Sequence, residues 1–223
     1  MLNQPFIVTI DGPAASGKSS VSRELARRFG WDWLSTGAFY RGLAYAAHRS
    51  GVDLKDEDVI VRLAQSSQWE VRMTPGETQV LFQDENVTAE INREDIGTLA
   101  SKISSLPRVR QALLDAQRRC ADGVKGLVAE GRDCGTVVFP KAQVKVFLTA
   151  RAEDRAARRA REEGRDLTQT IQDQKQRDAQ DANRKAAPML ASEDANTIDT
   201  TTLSLEDVVN RVETLVRTKL RTH

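Results

Sequence analysis

One motif restricts the choice of fold more than any other feature, the run G-P-A-A-S-G-K-S at residues 12–19. It matches the pattern G-x-x-x-x-G-K-[ST] at each fixed position. Residues 6–10 before it are apolar or β-branched and predict a buried strand. After it, Val21, Leu25 and Phe29 recur every four residues, which predicts one face of a helix. A strand, a glycine-rich loop and a helix in this order indicate a site for phosphate groups, rather than an ordinary turn.

The motif also predicts which atoms hold the phosphates. Glycine lets the chain turn tightly, so that backbone N–H groups and the start of the helix surround an anion. Lys18 would reach the β- and γ-phosphates of ATP, and the Ser19 hydroxyl would bind Mg²⁺ directly. The candidate ATP-binding residues of this segment are Gly12, Pro13, Ala14, Ala15, Ser16, Gly17, Lys18, Ser19 and Ser20.

Length and composition favour a single domain, spanning residues 1–223, with one insertion. The net charge of +1 predicts neither a nucleic-acid partner nor a membrane surface. Two cysteines do not make a disulfide framework, which favours reduced thiols and a cytoplasmic protein. We find no signal-peptide pattern and no apolar stretch that approaches the roughly 18 residues of a membrane span.

Strand and helix patterns alternate along the chain, which predicts an α/β fold with a parallel sheet flanked by helices. The further predicted strands are 31–34, 127–129, 144–148 and 197–201, and the further predicted helices are 38–49, 54–64, 91–103, 106–120, 151–161, 167–185 and 205–220.

A stretch with a different period interrupts this alternation. Residues 69–73 alternate between apolar and polar, Pro75 and Gly76 form a turn signal, and residues 79–82 return as a second strand. We therefore predict a small inserted antiparallel β subdomain at 67–90. A lid over the substrate and a purely structural addition are both open interpretations.

Charged residues and glycines follow the predicted strand 127–129 directly, from Glu130 to Thr136. Ligands of parallel sheets bind at the carboxyl ends of the strands. Arg132 and Asp133 are therefore candidate site residues, and a surface turn is the alternative.

The predicted helices between residues 151 and 187 are rich in arginine and poor in apolar residues. A helix that is polar all round bridges solvent or faces a ligand. Arg177, Asp181 and Arg184 are spaced to share one helix face. An exposed ion pair explains them equally well, but a helical lid that closes on polyphosphate requires this composition.

Arginines at the places where a site is expected favour phosphoryl transfer between two anions, which depends on positioning and charge neutralisation. A nucleoside monophosphate is already ionised near pH 7 and needs no general base. A hydroxyl acceptor would need one, and Glu130 or Asp133 would supply it. The GTPase motif N-K-x-D is absent from the sequence.

The sequence resembles the bacterial cytidylate kinases over nearly its whole length. The segments that carry the resemblance are 10–19, 35–41, Ser101 with 106–110, 131–140, and 177–188 at positions 177, 178, 181–184, 187 and 188. The resemblance implies transfer of the ATP γ-phosphoryl group to CMP or dCMP, with Mg²⁺ as cofactor. The expected partners are the small-molecule substrates ATP and CMP or dCMP, with neither nucleic acid nor a membrane.

The resemblance also implies roles for individual residues. Those assigned to the CMP site are Thr36, Arg41, Ser101, Arg110, Arg132, Asp133, Arg177, Asp181 and Arg184. Within this set, Arg41 and Arg132 would hold the acceptor phosphate. Ser101, Arg110 and Asp133 would read cytosine. Arg177, Asp181 and Arg184 would serve the sugar and the transferring phosphoryl group.

The catalytic residues would be Lys18, Arg132, Arg177 and Arg184, with Arg158 near ATP and Glu130 holding Mg²⁺ through water. A monomer is expected.

Two positions depart from the family pattern: Ser35 stands where aspartate is usual, and Cys134 replaces a larger apolar residue. A kinase for another small acceptor and a non-enzymatic nucleotide-binding regulator are the alternatives. A regulator would not need the second anion site.

Overall fold

The protein is described here from a computed structural model, which covers residues 4–164, 166–182 and 189–222. Its strands are β1 (Phe6–Asp11), β2 (Asp32–Ser35), β3 (Trp69–Met73), β4 (Thr78–Phe82), β5 (Glu85–Asn86), β6 (Gly126–Gly131), β7 (Val144–Thr149) and β8 (Asn196–Asp199). Its helices are α1 (Lys18–Phe29), α2 (Gly37–Arg49), α3 (Glu57–Ala64), α4 (Thr88–Ile91), α5 (Glu94–Ile103), α6 (Pro107–Arg119), α7 (Ala152–Glu163), α8 (Leu167–Ala182) and α9 (Leu205–Leu220).

The central sheet is parallel, with five strands in the order β2-β6-β1-β7-β8. The predicted α/β fold with a helix-flanked parallel sheet is confirmed. In the register of β1 with β6, Asp11 lies opposite Gly131. The phosphate loop after β1 and the charged loop after β6 therefore leave the sheet side by side, at the edge where ligands of such sheets bind.

The two faces of the sheet bury separate cores because side chains of a strand alternate between faces. In β6, Leu127 and Ala129 pack with the apolar side chains of α2, α5 and α6. Val128 belongs to the other cluster, with Val8 and Ile10 of β1 and with α1 and α9. Both faces are covered, so the site is confined to the strand ends.

The predicted insertion forms a separate antiparallel sheet, β3-β4-β5, in which Trp69 lies opposite Phe82. The short strand β5 was not predicted; its two residues carry no alternating pattern. The sheet is tied to β2 by Thr78, whose hydroxyl donates to the carbonyl of Trp33 (2.8 Å) and accepts from the N–H of Ser35 (2.9 Å). These two hydrogen bonds join the insertion to the end of strand β2 in the central sheet.

The predicted helix 91–103 was wrong as a single element. Helix α4 ends at Ile91 and α5 begins at Glu94, because Arg93 has extended backbone angles (φ −61°, ψ 153°). The break exposes the carbonyl of Ile91, which accepts a hydrogen bond from Arg41 at 2.8 Å. The extended backbone at Arg93 separates the two helices, and Arg41 supplies a hydrogen-bond donor to a carbonyl at the end of the first one.

Local signals set other helix boundaries. The Asp166 side chain accepts from the N–H of Gln169 at 2.9 Å, and Ser204 forms a capping box with Asp207. Residues 183–185 of the predicted helix 167–185 lie outside the described residues.

In the described chain, no helix has both the length and the hydrophobicity needed to cross a membrane.

Candidate active site

The phosphate loop depends on left-handed backbone that its glycines supply. Gly12 has φ +146° and Gly17 has φ +88°, and Ala15 between them is also left-handed at φ +56°. A Cβ atom at position 12 would collide with the carbonyl oxygen of Leu148 in β7. Glycine is thus required at position 12 by close packing as well as by conformation.

Side chains from four different parts of the chain hold the outward carbonyl groups of this loop. The carbonyl of Gly12 accepts from Arg132 (2.8 Å), that of Pro13 from Lys18 (2.6 Å), that of Ala14 from Arg155 (3.0 Å) and that of Ser16 from Thr200 (3.2 Å). In a trans peptide unit the N–H points opposite to the C=O. Arg155 and Thr200, which hold the Ala14 and Ser16 carbonyls from other parts of the chain, therefore leave the N–H groups of Ala15 and Gly17 directed the other way, where an anion can bind.

A hydroxyl and a carboxylate meet beside the loop. Ser19, in the first turn of α1, donates to Glu130 at 2.8 Å from Oε1 and 3.0 Å from Oε2. Glu130 is buried near the end of β6. Oxygen ligands of this kind are what Mg²⁺ prefers, with water and phosphate oxygens completing the shell. No group of three or more His, Cys, Asp or Glu side chains gathers elsewhere in the described chain as a metal site.

Arg132 and Asp133 follow the end of β6 and lead into a π-helical turn, Cys134–Val138, which was not predicted. Asp11 holds its beginning: the two carboxylate oxygens accept from the N–H groups of Cys134 (2.8 Å) and Gly135 (2.7 Å). Burial raises the pKa of Asp11 to about 6 in spite of these bonds. Sequence analysis assigned Asp11 no role.

Arg110 and Asp133 form a buried ion pair in the wall of the candidate site. Arg110 comes from α6 and also donates to the carbonyl of Ser104 at 3.4 Å. Its guanidinium carbon lies 5.5 Å from the ring centre of Tyr40, in α2, a cation–π contact. Two sequence-predicted residues are therefore brought together, and an aromatic ring that was not assigned a role orients one of them.

Three more predicted residues line the same wall. Arg41 packs against Gly97, where a Cβ atom would lie 3.2 Å from the guanidinium nitrogens. The hydroxyl of Ser101 donates to the carbonyl of Gly97 at 3.1 Å. The hydroxyl of Thr36 donates to the carbonyl of Glu130 at 2.8 Å, which joins the start of α2 to β6.

Two arginines of helix α7 also reach the candidate site and are held by other parts of the chain. Arg158 donates to the carbonyls of Thr200 (2.5 Å) and Thr201 (3.2 Å), and Arg159 forms an ion pair with Glu94 at 3.2 Å. Both arginines line the cleft. Sequence analysis named Arg158 but missed Arg159.

These walls enclose one cleft of about 540 Å³. The predicted residues that line it are Ala14, Ala15, Gly17, Lys18, Ser19, Ser20, Thr36, Arg41, Ser101, Arg110, Glu130, Arg132, Asp133 and Arg158. Ser35 also lines it, whereas no residue of β3, β4 or β5 does. Arg177 and Asp181 belong to α8 but their side chains lie outside the described part, and Arg184 lies outside the described residues altogether.

Arg155 is the functional candidate that sequence reasoning missed most clearly. It is 6% exposed and contacts the phosphate loop, yet its helix contains several arginines of similar local context. Its sequence spacing could have identified it. Arg155 precedes Arg158 by three residues and Arg159 by four, and this spacing places all three on one side of α7.

Comparisons with known proteins identify the family of the chain. The model of the family described as Cytidylate kinase matches residues 8–218. The cytidylate kinase of Bdellovibrio bacteriovorus is 58% identical over 215 residues, covering 96% of this chain and 99% of that protein. That of Colwellia psychrerythraea is 45% identical over 221 residues, with coverage of 96% and 97%.

A solved structure resembles the fold at low identity. A gluconokinase from Sinorhizobium meliloti 1021 covers 96% of this chain and 93% of its own, with a TM-score of 0.51 and 14% identity. It shares the fold with this protein and supports no statement about substrate. The family match over residues 8–218 and the 58% identity lead to one conclusion: the chain belongs to the cytidylate kinase family.

Proposed function

We propose that the protein transfers the γ-phosphoryl group of ATP to CMP or dCMP, giving CDP or dCDP. The observation that carries this is that one cleft is lined by Lys18 of the phosphate loop and by the buried Arg110–Asp133 pair. Two anionic nucleotides fit such a cleft, with the phosphates between the loop and the arginines. The names of the related proteins support the same reaction.

The Arg110–Asp133 pair suits cytosine. Cytosine presents an exocyclic amine donor beside the N3 and O2 acceptors. A carboxylate accepts from the amine and a guanidinium donates to the acceptors, with the Ser101 hydroxyl nearby on α5. Uracil presents an acceptor where Asp133 also accepts, so its binding leaves buried polar groups unpaired.

The cations have separate tasks in this proposal. Arg41 and Arg132 hold the acceptor phosphate, Lys18 holds the β- and γ-phosphates, and Arg158 lies near ATP. Arg177 and Arg184, with Asp181, serve the transferring phosphoryl group and the sugar. The acceptor phosphate is already ionised near pH 7, so the reaction needs no general base.

Ser19 and Glu130 fit Mg²⁺ by the chemistry of their oxygen atoms, which lie within hydrogen-bond distance of each other. Ser19 would bind the ion directly, and Glu130 would hold it through water. When bound with ATP, the ion neutralises phosphate charge. We propose further that the protein acts as a monomer in the cytoplasm, the compartment in which free thiols such as Cys120 and Cys134 stay reduced.

A coupled assay with Mg·ATP and each nucleoside monophosphate tests the proposal. CMP and dCMP are expected to turn over, and UMP, AMP and GMP to be poor acceptors. Asp133→Ala is expected to reduce the preference for CMP over UMP by about 100-fold while leaving ATP affinity unchanged. The exposed Asp122→Ala is the matched control.

Two results would contradict the proposal. Equal turnover of CMP and UMP by the wild type would remove the role of Asp133 in reading the base. ATP binding without turnover of any monophosphate would favour a nucleotide-binding regulator.

A further inference from the structure

The carbonyl group of Ala14 is where the phosphate loop and the helices α7 and α8 meet. It accepts hydrogen bonds from Arg155 Nη1 of α7 at 3.0 Å and from Gln174 Nε2 of α8 at 3.1 Å. Both donors are buried, with 6% and 2% of their surface exposed. Two donors from different helices therefore converge on one backbone atom in a water-poor place.

Arg155 uses the rest of its guanidinium to hold α8. It pairs with Asp178 at 2.7 Å from Nη2 and 3.3 Å from Nη1, and its Nε donates to the carbonyl of Ala150 at 3.1 Å. The planar fork of arginine satisfies these three directions at once, which a lysine ammonium does not do. Arg155 thus joins the loop, the start of its own helix and α8.

The peptide unit between Ala14 and Ala15 has two polar ends. Its C=O is held by Arg155 and Gln174, and its N–H, on Ala15, points the opposite way in a trans peptide. Ala15 lines the cleft. An anion that accepts from this N–H polarises the peptide unit and makes its carbonyl a better acceptor, as in other chains of hydrogen bonds.

We propose that Arg155 is a positioning residue that couples phosphate binding in the loop to the placement of α8. When the phosphates of ATP bind to the Ala15 N–H, the Ala14 carbonyl binds Arg155 more strongly, and the Arg155–Asp178 pair holds α8 against the loop. Helix α8 contains Arg177 and Asp181, so the contacts of Arg155 with the loop and with Asp178 determine the position of the helix segment that contains them. The inference rests on the proposed binding of ATP but not on the identity of the acceptor.

The test is amide hydrogen exchange of residues 167–182 in the full chain, with and without Mg·ATP and without acceptor. In the wild type, Mg·ATP is expected to slow exchange in α8. Arg155→Met and Asp178→Asn are expected to lose this ATP-dependent slowing and to bind ATP about 10-fold more weakly by calorimetry. Arg151→Met is the matched control, because Arg151 forms an exposed pair with Asp154 in the same region.

A merely structural role predicts a different result. It lowers the melting temperature and raises exchange in both states but leaves the ATP-dependent difference as in the wild type, which would overturn the inference. The same holds if wild-type protein binds ATP with no change in α8. If Arg155→Met does not fold, Asp178→Asn decides, because it retains Arg155. A protein that binds ATP but does not phosphorylate CMP contradicts the proposed function, while the exchange experiment still decides the coupling.

Discussion

The Ser19 hydroxyl donates a hydrogen bond to the Glu130 carboxylate, at 2.8 Å from Oε1 and 3.0 Å from Oε2. The two residues are 111 positions apart in sequence. They meet because β6 pairs in parallel with β1, so that the end of β6 lies beside the loop that leads into α1. An oxygen pair suited to Mg²⁺ is therefore a consequence of strand order.

Glu130→Gln tests this pair. The amide keeps the shape of the side chain but removes the negative charge that favours a divalent cation. We expect the Mg²⁺ concentration for half-maximal turnover to rise by about 10-fold or more, as for other residues that support a metal site. The measurement is a Mg²⁺ titration of the initial rate, with the exposed Glu85→Gln as control. An unchanged midpoint would exclude Glu130 from the metal site.

Lys18→Ala tests the phosphate loop. Removing the ammonium group is expected to lower kcat by about 100- to 1,000-fold, because preorganised charge at a transferring phosphoryl group has effects of this size. The fold is expected to remain, since the hydrogen bond from Lys18 to the carbonyl of Pro13 lies within the phosphate loop and joins no separate elements of the sheet. Initial rates and circular dichroism check both statements. Lys102→Ala, on the exposed side of α5, is the control, and a near-normal rate for Lys18→Ala would refute the role.

Arg110→Met tests the buried ion pair. The side chains of Arg110 and Asp133 are 10% and 8% exposed, so the substitution leaves a carboxylate buried without its guanidinium. We expect the free energy of unfolding to fall by about 3–5 kcal/mol, as when other buried pairs lose one partner.

The neighbouring arginine on α6 supplies the control for that experiment. Arg108 pairs with Asp58 at 2.6 Å, but these side chains are 60% and 62% exposed. Arg108→Met is expected to change the free energy of unfolding much less than Arg110→Met does, because solvent screens exposed pairs. Equal losses for the two variants in urea unfolding would mean that burial does not strengthen the Arg110–Asp133 pair.

Asp11→Asn tests the carboxylate that holds the π-helical turn. Burial raises the pKa of Asp11 from 3.8 to about 6. The folded protein therefore binds this proton more tightly than the unfolded chain, and the contribution of Asp11 to stability falls as pH rises from about 4 to 6. We expect the unfolding free energy of the wild type, relative to Asp11→Asn, to fall by up to about 3 kcal/mol over this range.

Urea unfolding of both proteins at pH 4, 5, 6 and 7 measures this difference. Subtracting the unfolding free energy of the variant from that of the wild type removes the pH dependence of the other ionisable groups, which both proteins share. The exposed Asp84→Asn is the control. A difference that increases with pH in this range would contradict the raised pKa of Asp11.

Sequence patterns predicted the parallel sheet, its helices and much of the candidate site. Arg132 and Asp133 were located by a general rule, that charged residues directly after a buried strand lie at a ligand-binding edge. The prediction was less accurate where a distant contact sets the local structure. The helix break at Arg93 is accompanied by the bond from Arg41 to the Ile91 carbonyl, and no apolar spacing signals it.

The sequence alone identified the phosphate loop, because its glycines and lysine, and the strand and helix that adjoin it, are consecutive in the chain. The tertiary structure alone decided which arginine meets which partner: Arg110 meets Asp133, Arg132 the Gly12 carbonyl, and Arg155 both Asp178 and the phosphate loop. The reason is physical. Backbone conformation is governed by neighbours in sequence, whereas a buried guanidinium is stable only where folding brings its hydrogen-bond acceptors from separate elements.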